Sequence, residues 1–530
     1  MARAVNRGLS VGQNIASIRQ QAAGKLQYLA PSASLSKKFM QAVDETVSQV
    51  IRERILFASR ANAAMIHSSL PKGGLGFERV FGKYAAASLA YLARAASPGA
   101  VQDEGLRTIL VDRYRRLQQQ LQSDGASDVL SLQFTADDHR VISAATGARY
   151  RHPHMKRPKE VQLVEACHEH KIGMSIRDGG LEFAIDGATA LPHKIRDHIR
   201  KAGYDAAYGA WARMETQRPA AYTELPNQPG ATRHLQHHHL EPMDDIDDHL
   251  CRTVVRARLD LLPTGKNLNR WKNGGISDKC PHCDDTETIE HLLGGCEAEC
   301  PRRMAIRRHN ELQKLLVDGV NALNKKEQRR RQQLAVRTEE PVLEPRVQPL
   351  RVIEAPTGAA AAGRTDYAPL FNSKTALEEV HHYAPDVVME SSTEQLRVVD
   401  VIDVAVTSDA GMHARFVQKE DRYTKFAQAV EADHRRSDVV DEADVERREA
   451  AEERAARELK VTVRPIIVST TGYVHCESVE HLTELLQQHL GLESKMAKKS
   501  AIKILRKMSK CAQRFILRFL SMSKERRESC

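Results

Sequence analysis

Apolar residues recur at helical spacing through much of the first 330 positions, then give way to β-branched runs after Ala376. From Leu35 to Phe57 the apolar set is Phe39, Val43, Val47, Val50, Ile51 and Ile55, which predicts an amphipathic helix. A glycine-rich turn follows, Leu70-Pro71-Lys72-Gly73-Gly74-Leu75-Gly76-Phe77, and then an alanine-rich helix from Tyr84 to Ala96. Residues 100–215 read as mostly helical, with breaks near Asp124-Gly125, Arg151-His152-Pro153 and Gly179-Gly180. Pro219, Pro226, Pro229, Gly230 and Pro242 mark 216–245 as a linker. Helices are predicted over Asp248–Leu262 and Ile306–Leu323, the latter with Ile306, Leu312, Leu315, Leu316, Val320 and Leu323 on one face.

A second linker, with four prolines and an Ala/Gly tract, is expected over 338–366. Beyond it come a short strand at Val387–Met389, a turn from Glu390 to Glu394, and a buried strand over Leu396–Val406. A helix over Ala414–Val430, a strand over Val461–Val468 and a helix over Val479–Leu490 complete an α/β pattern. Asp438–Lys460 is rich in Ala, Glu and Arg without an apolar stripe, which predicts a solvated helix. Lys498–Leu520 predicts a basic amphipathic helix that docks on the preceding core or lies on a membrane surface, the intracellular context favouring docking. A chain of 530 residues exceeds one core. We expect a multidomain, mainly α protein with a small Cys/His knuckle and an α/β domain. The expected boundaries are 1–130, 131–247, 248–335, 336–370, 371–492 and 493–530.

Composition adds constraints. Aromatics are 5% and charged residues 28%, so cores must be aliphatic and the surface heavily charged. The net charge is +10, and Lys495–Cys530 carries 12 Lys/Arg against 2 Asp/Glu, so the rest of the chain nets to zero. Nucleic-acid affinity arising from net charge therefore concentrates in this tail. No apolar run is long enough to span a membrane, and the first 19 residues lack a signal-peptide core. Nine unevenly spaced cysteines do not form a disulfide framework, which implies a reducing compartment.

Four of those cysteines, 280, 283, 296 and 300, fall in one patch. Cys280-Pro281-His282-Cys283 is followed after seven residues by His291 and after four more by Cys296. A Cys-x-x-Cys turn presents two thiolates from one side, and a His and a Cys nearby close a tetrahedron around zinc. The expected ligands are Cys280, Cys283, His291 and Cys296, with Cys300 as an alternative to Cys296. Arg302, Arg303, Arg307, Arg308 and His309 follow at the start of the next helix. Cations oppose the dipole there, so a phosphate partner or a solvated basic face would explain them. The linker histidines His234, His237, His238 and His239 are expected to be adventitious.

A second constellation lies in the α/β region. An aspartate at one strand start (Asp386), another within the next strand (Asp403) and a lysine on the following helix (Lys419) form a metal-nuclease arrangement. Mg²⁺ prefers carboxylate oxygens, acidifies a bound water and stabilises charge on a transferring phosphate. Strand alternation places Asp400 on the face opposite Asp403, so one of the two can face a metal.

The knuckle, with Glu287-Thr288-Ile289-Glu290-His291-Leu292-Leu293 and Arg307-Arg308-His309-Asn310, resembles that of site-specific non-LTR retrotransposon reverse transcriptases. The spliced-leader elements of trypanosomatids are the nearest type. Pro385-Asp386, Val401-Ile402-Asp403-Val404-Ala405-Val406 and Lys419-Glu420-Asp421-Arg422-Tyr423 resemble the restriction-like endonuclease of the same polyproteins. Carried over, Asp386 and Asp403 bind the metal and Lys419 is the catalytic lysine. Ala384 stands where a basic residue often precedes Pro-Asp in that pattern, and Arg422 replaces its second lysine. The Leu70–Phe77 turn between helices resembles the thumb that follows the polymerase palm, which makes 1–130 thumb-like.

The palm's aromatic-x-Asp-Asp hairpin is missing. Asp137-Asp138 and Asp244-Asp245 are the nearest strings, and both lie after the thumb. The resemblance implies a C-terminal part of such a polyprotein, acting in the nucleus. Its zinc is structural, its Mg²⁺ catalytic, and its partners are target DNA and element RNA. The implied activity is nicking of DNA without polymerisation. The alternative is a non-catalytic nucleic-acid-binding remnant of a truncated element.

Overall fold

A computed structural model describes residues 9–29, 35–97, 104–123, 158–214, 246–338, 351–354, 385–392, 396–435 and 458–529. The chain divides into two compact units, Met1–Pro219 with Leu240–Asp244, and Asp245–Cys530 with Ala220–His239. The architecture is α-rich with two small sheets. No helix among the described residues is long and apolar enough to cross a membrane. The aspartate pairs at 137–138 and 244–245, the linker histidines and most of Asp438–Lys460 lie outside the described residues.

The first unit holds helices α1 (Val11–Leu29), α2 (Lys37–Val50), α3 (Ala63–His67), α4 (Val80–Ala95), α5 (Glu104–Ser123) and α6 (Lys159–Glu169). The glycine-rich turn links α3 to α4. Gly73 there has φ +82°, and a Cβ on Gly74 would stand 2.3 Å from the Ser68 carbonyl oxygen, so both positions need glycine.

One expectation for 100–215 is corrected. An antiparallel sheet of β1 (Ile172–Arg177), β2 (Gly180–Ile185) and β3 (Ala188–Thr189) interrupts the helices before α7 (Pro192–Ala212). Its two hairpin loops are Asp178-Gly179 and Asp186-Gly187, all at positive φ, the conformation that matches strand twist. What read as a helix break is a hairpin signal. Ile172, Met174, Leu181 and Phe183 bury against α4, α5, α6 and α7 in one cluster. The expected boundary at 130/131 therefore does not separate two cores. A single small sheet cannot bury its apolar face without the alanine-rich side of α4.

In the second unit, α8 (Asp248–Arg258) and α9 (Gly265–Trp271) lead into the knuckle, and α10 (Glu299–Thr338) leaves it. The sheet has the order β4-β5-β6-β7. Its strands are β4 (Arg351–Glu354), β5 (Val387–Ser392), β6 (Leu396–Thr407) and β7 (Glu458–Ser469). The β4–β5 and β5–β6 pairs are antiparallel, and β6–β7 is parallel across the helix α11 (Met412–Arg435). Helices α12 (Cys476–Leu490) and α13 (Ser494–Ser529) follow.

Three boundaries differ from expectation. Arg351–Glu354 falls in the stretch read as linker, yet it forms the sheet edge by pairing with Val387–Glu390. Glu390–Ser392, read as a turn, continues β5. The regions 248–335, 371–492 and 493–530 were expected to be separate. They share one core of Leu250, Val254, Leu292, Leu293, Leu312, Leu316, Ile402, Val404, Ile466, Leu486, Phe515 and Phe519. The physical reason is the sheet's two apolar faces. Val388, Val399 and Val401 are covered by Tyr423, Phe426 and Val430 of α11. Val387, Met389, Ile402 and Val404 need a second cover, which α10, α12, α13 and the knuckle supply together.

Candidate metal centre and acidic cleft

Cys280 and Cys283 sit in a tight turn whose ends are fixed by the Cys280 N–H donating to the Asp285 carbonyl and by a Lys279–Thr286 bridge. His291 opens a π-turn, His291–Gly295, and Cys296 caps it. One ligand atom from each of Cys280, Cys283, His291 and Cys296 lies within 4.8 Å of all the others, so the four could hold a metal ion. Sγ of Cys296 is 3.9 Å from that of Cys280 and 3.7 Å from that of Cys283, and Cys283 Sγ is 3.2 Å from His291 Nε2. Bond lengths to a tetrahedral zinc give edges of about 3.8 Å between sulfurs and about 3.5 Å from sulfur to nitrogen. The donor set therefore fits. Burial and the neighbouring thiols push the Cys296 thiol up to about 12, so packing alone disfavours the thiolate. Cys300, the alternative, is exposed on α10 and outside the group. Asp285 Oδ2 lies 4.0 Å from His291 Nδ1, where a carboxylate can orient the ring.

Glu287, fully buried beneath the knuckle, accepts from the Gly265 N–H and the Ser523 hydroxyl and pairs with Arg527. A buried carboxylate requires such partners. They come from α9 and from the last turns of α13.

The acidic pair follows from strand register. Val387 pairs with Ile402, so one step back along β5 places Asp386 opposite Asp403. Asp386 Oδ2 accepts from the Val404 N–H at 2.7 Å and lies 3.1 Å from His309 Nε2. Gln313 donates to the Asp386 carbonyl at 2.8 Å. Asp403 accepts from the Tyr423 hydroxyl at 2.6 Å and pairs with Lys419 Nζ at 2.8 Å. Burial, and then the charge of Asp386, raise the Asp403 carboxyl above its ordinary range; Lys419 and Tyr423 oppose that rise. At His309, burial disfavours the charge, but Asp386, Asn310 and the Val404 carbonyl outweigh it and hold the imidazole at about 9.

Asp400 points to the other face. It binds Arg464 and accepts from His489 at 2.6 Å, and Ser391 meets the second nitrogen of that ring. This network is buried and faces α12, away from Lys419.

A cavity of about 430 Å³ lies beside the pair. Its lining includes Glu290, Gly294 and Gly295 from the knuckle, Arg308 and His309 from α10, and Arg415 and Lys419 from α11. Sequence reasoning placed Arg308 and His309 in a basic run and missed both roles. Arg308 is buried and donates to the Leu293 carbonyl at 2.7 Å, while His309 reaches Asp386. Their spacing on α10, opposite two different neighbours, is not visible in composition. A further group of potential ligands, His475, Cys476 and Glu477, stands at the start of α12. The sequence reading did not single it out. No family model matches the chain, and no curated protein matches it.

Proposed function

We propose that the second unit is a metal-dependent DNA-nicking nuclease with a zinc-stabilised knuckle. In this reading it belongs to the C-terminal part of a site-specific non-LTR retrotransposon reverse transcriptase. The observation that carries the nuclease reading is the register: Asp386 faces Asp403 across two strands, with Lys419 2.8 Å from Asp403. The Cys3His group suits zinc rather than a hard ion, because three of its four donors are sulfur. Bound there, zinc holds the thiolates and fixes the turn.

The two carboxylates suit Mg²⁺ in chemistry, since both offer hard oxygens. Asp386 Oδ1 has no partner among the described residues, while both Asp403 oxygens are engaged. Such an ion, when bound, supplies an acidified water and charge stabilisation for phosphate cleavage. The chain's own residues do the rest. Asp386 is fixed by the Val404 N–H and His309. Tyr423 orients Asp403. Lys419, nearly buried, presents the cation that meets negative charge on the phosphate.

The second reading, a binding remnant without catalysis, draws on the same geometry. Lys419 already neutralises Asp403, His309 already occupies Asp386 Oδ2, and neither aspartate belongs to a group of three or more mutually close ligand atoms among the described residues. Conversion of supercoiled plasmid to nicked circles by the full chain with Mg²⁺ tests the choice. Nicking that is lost in Asp386→Ala supports the nuclease; plasmid binding without nicking in wild type supports the remnant.

A further inference from the structure

Arg308 is a buried cation without a carboxylate counter-ion among the described residues. It is 3% exposed. It donates to the Leu293 carbonyl, its guanidinium lies 5.3 Å from the Phe519 ring centre, and its Nε has no hydrogen-bond partner. No carboxylate pairs with it among the described residues. A carbonyl and a ring orient a guanidinium but do not neutralise it, and an unpaired buried charge is costly. The same side chain lines the cavity beside the acidic pair.

The rest of the lining has matching chemistry. Arg415 enters from α11, is held by Gln418 at 2.5 Å and pairs with no carboxylate among the described residues. Thr407, Ser408 and Thr470 bring hydroxyl groups, which can donate to oxygen. The acid in the lining, Glu290, is exposed. Gly294 makes room for the guanidinium: a Cβ there would stand 3.2 Å from Arg308 Nη2.

We propose that this cavity is an anion seat that holds a backbone phosphate of duplex DNA, with Arg308 and Arg415 as its cations. That the anion is DNA rests on the nuclease reading; the unpaired cations do not. The knuckle is then a wall of the substrate site as well as a structural element, because the Leu293 carbonyl aims Arg308. Planar guanidinium groups suit tetrahedral phosphate oxygens, which accept paired N–H donors.

The test is equilibrium binding of a short fluorescent DNA duplex by the full chain, without added Mg²⁺, across a salt series. Arg415→Ala is the deciding variant, because its side chain is accessible and its loss leaves no buried hole. Binding should weaken several-fold, and the slope of log affinity against log salt should fall by about one. Arg308→Met should do the same while retaining one zinc per chain, and Arg308→Lys should recover part of the affinity. Wild-type affinity and slope in Arg415→Ala overturn the proposal, whatever Arg308→Met does. Failure of the nuclease reading looks different: a wild type that never nicks, yet loses affinity in Arg415→Ala, keeps the phosphate seat and removes the chemistry.

Discussion

His309 Nε2 lies 3.1 Å from Asp386 Oδ2, while the residue before it in the chain, Arg308, donates to the Leu293 carbonyl in the knuckle at 2.7 Å. Two consecutive residues of α10 thus hold the Cys/His knuckle on one side and the acidic pair on the other. Removing the knuckle metal should release the His291–Gly295 turn and loosen both. We expect a chelator to lower the melting midpoint of the whole second unit, and plasmid nicking to stay reduced after Mg²⁺ is restored without zinc. Circular dichroism melts check this. An unchanged midpoint after complete zinc removal would show that the sheet stands without the knuckle.

Zinc content separates the cysteines. Cys283→Ser removes a donor that lies 3.2 Å from His291 Nε2 and 3.7 Å from Cys296 Sγ, and bound zinc should be lost. Cys300→Ser should leave it intact, because Cys300 lies outside the group. Elemental analysis of both purified variants gives the answer.

The two faces of β6 should respond differently. Asp403→Ala and Lys419→Ala should lower nicking by orders of magnitude while duplex binding persists. Asp400→Ala instead removes the buried acceptor shared by Arg464, which keeps Glu484, and the His489 ring, and should cost about 1–3 kcal/mol of stability. Urea melts beside nicking rates distinguish the cases. Loss of nicking in a fully stable Asp400→Ala would mean that the chemistry uses the other face.

The pattern of the α/β region was legible because β-branched runs and helical spacing both ran long: Leu396–Thr407 and Val479–Leu490 needed little tertiary context. The Cys/His spacing likewise placed together four side chains that could hold a metal ion. The hairpin at Asp178-Gly179 was not read, because glycine pairs mark breaks and turns alike. Its alternation, Ile172, Met174 and Ile176, is short. β4 was hidden in a proline-rich stretch, where four residues carry too little pattern. Arg308 and His309 could not be separated from exposed Arg302 and Arg307, since burial at a helix face depends on which neighbour packs there.

In the first unit, His67 gives a pH signature. It is held between the Ser48 hydroxyl and the Phe77 carbonyl, each at 3.1 Å. Burial pushes its pKa down to about 4, against the hydrogen bond to Phe77. The unfolded chain takes up this proton below the ordinary value of 6.5, so the stability from keeping His67 neutral is full above 6.5 and drains as pH falls to about 4. The loss is on the order of 3 kcal/mol. Half-buried Asp44, raised to about 6, works in the opposite direction, so the measurement is a difference. The urea midpoint of the first unit should be lowered most in His67→Gln at neutral pH, with the deficit shrinking toward pH 4. A constant deficit would remove His67 from the account.

The basic helix α13 should not behave as a detachable tail. Phe515, Ile516 and Phe519 are fully buried in the shared core. Phe519→Ala should cost about 3–5 kcal/mol, which a thermal melt reads directly. Its charge is better probed by Lys503→Glu with Lys507→Glu, both in the groove between α10 and α13. That pair should flatten the salt dependence of duplex binding without unfolding the unit.

The clamp on Glu287 sets an order of events. Its carboxylate sits between α9 and the side chains of Ser523 and Arg527, some 236 residues further along the chain. Until that last stretch of α13 has been made, Glu287 lacks the cation it meets among the described residues, and the sheet's second face lacks Phe515 and Phe519. A nascent chain that carries the whole Cys/His group would still lack these partners. Completion of the unit should therefore wait for synthesis to reach Arg527. A stop codon that removes only the last dozen residues would be felt at the knuckle, far upstream in the chain.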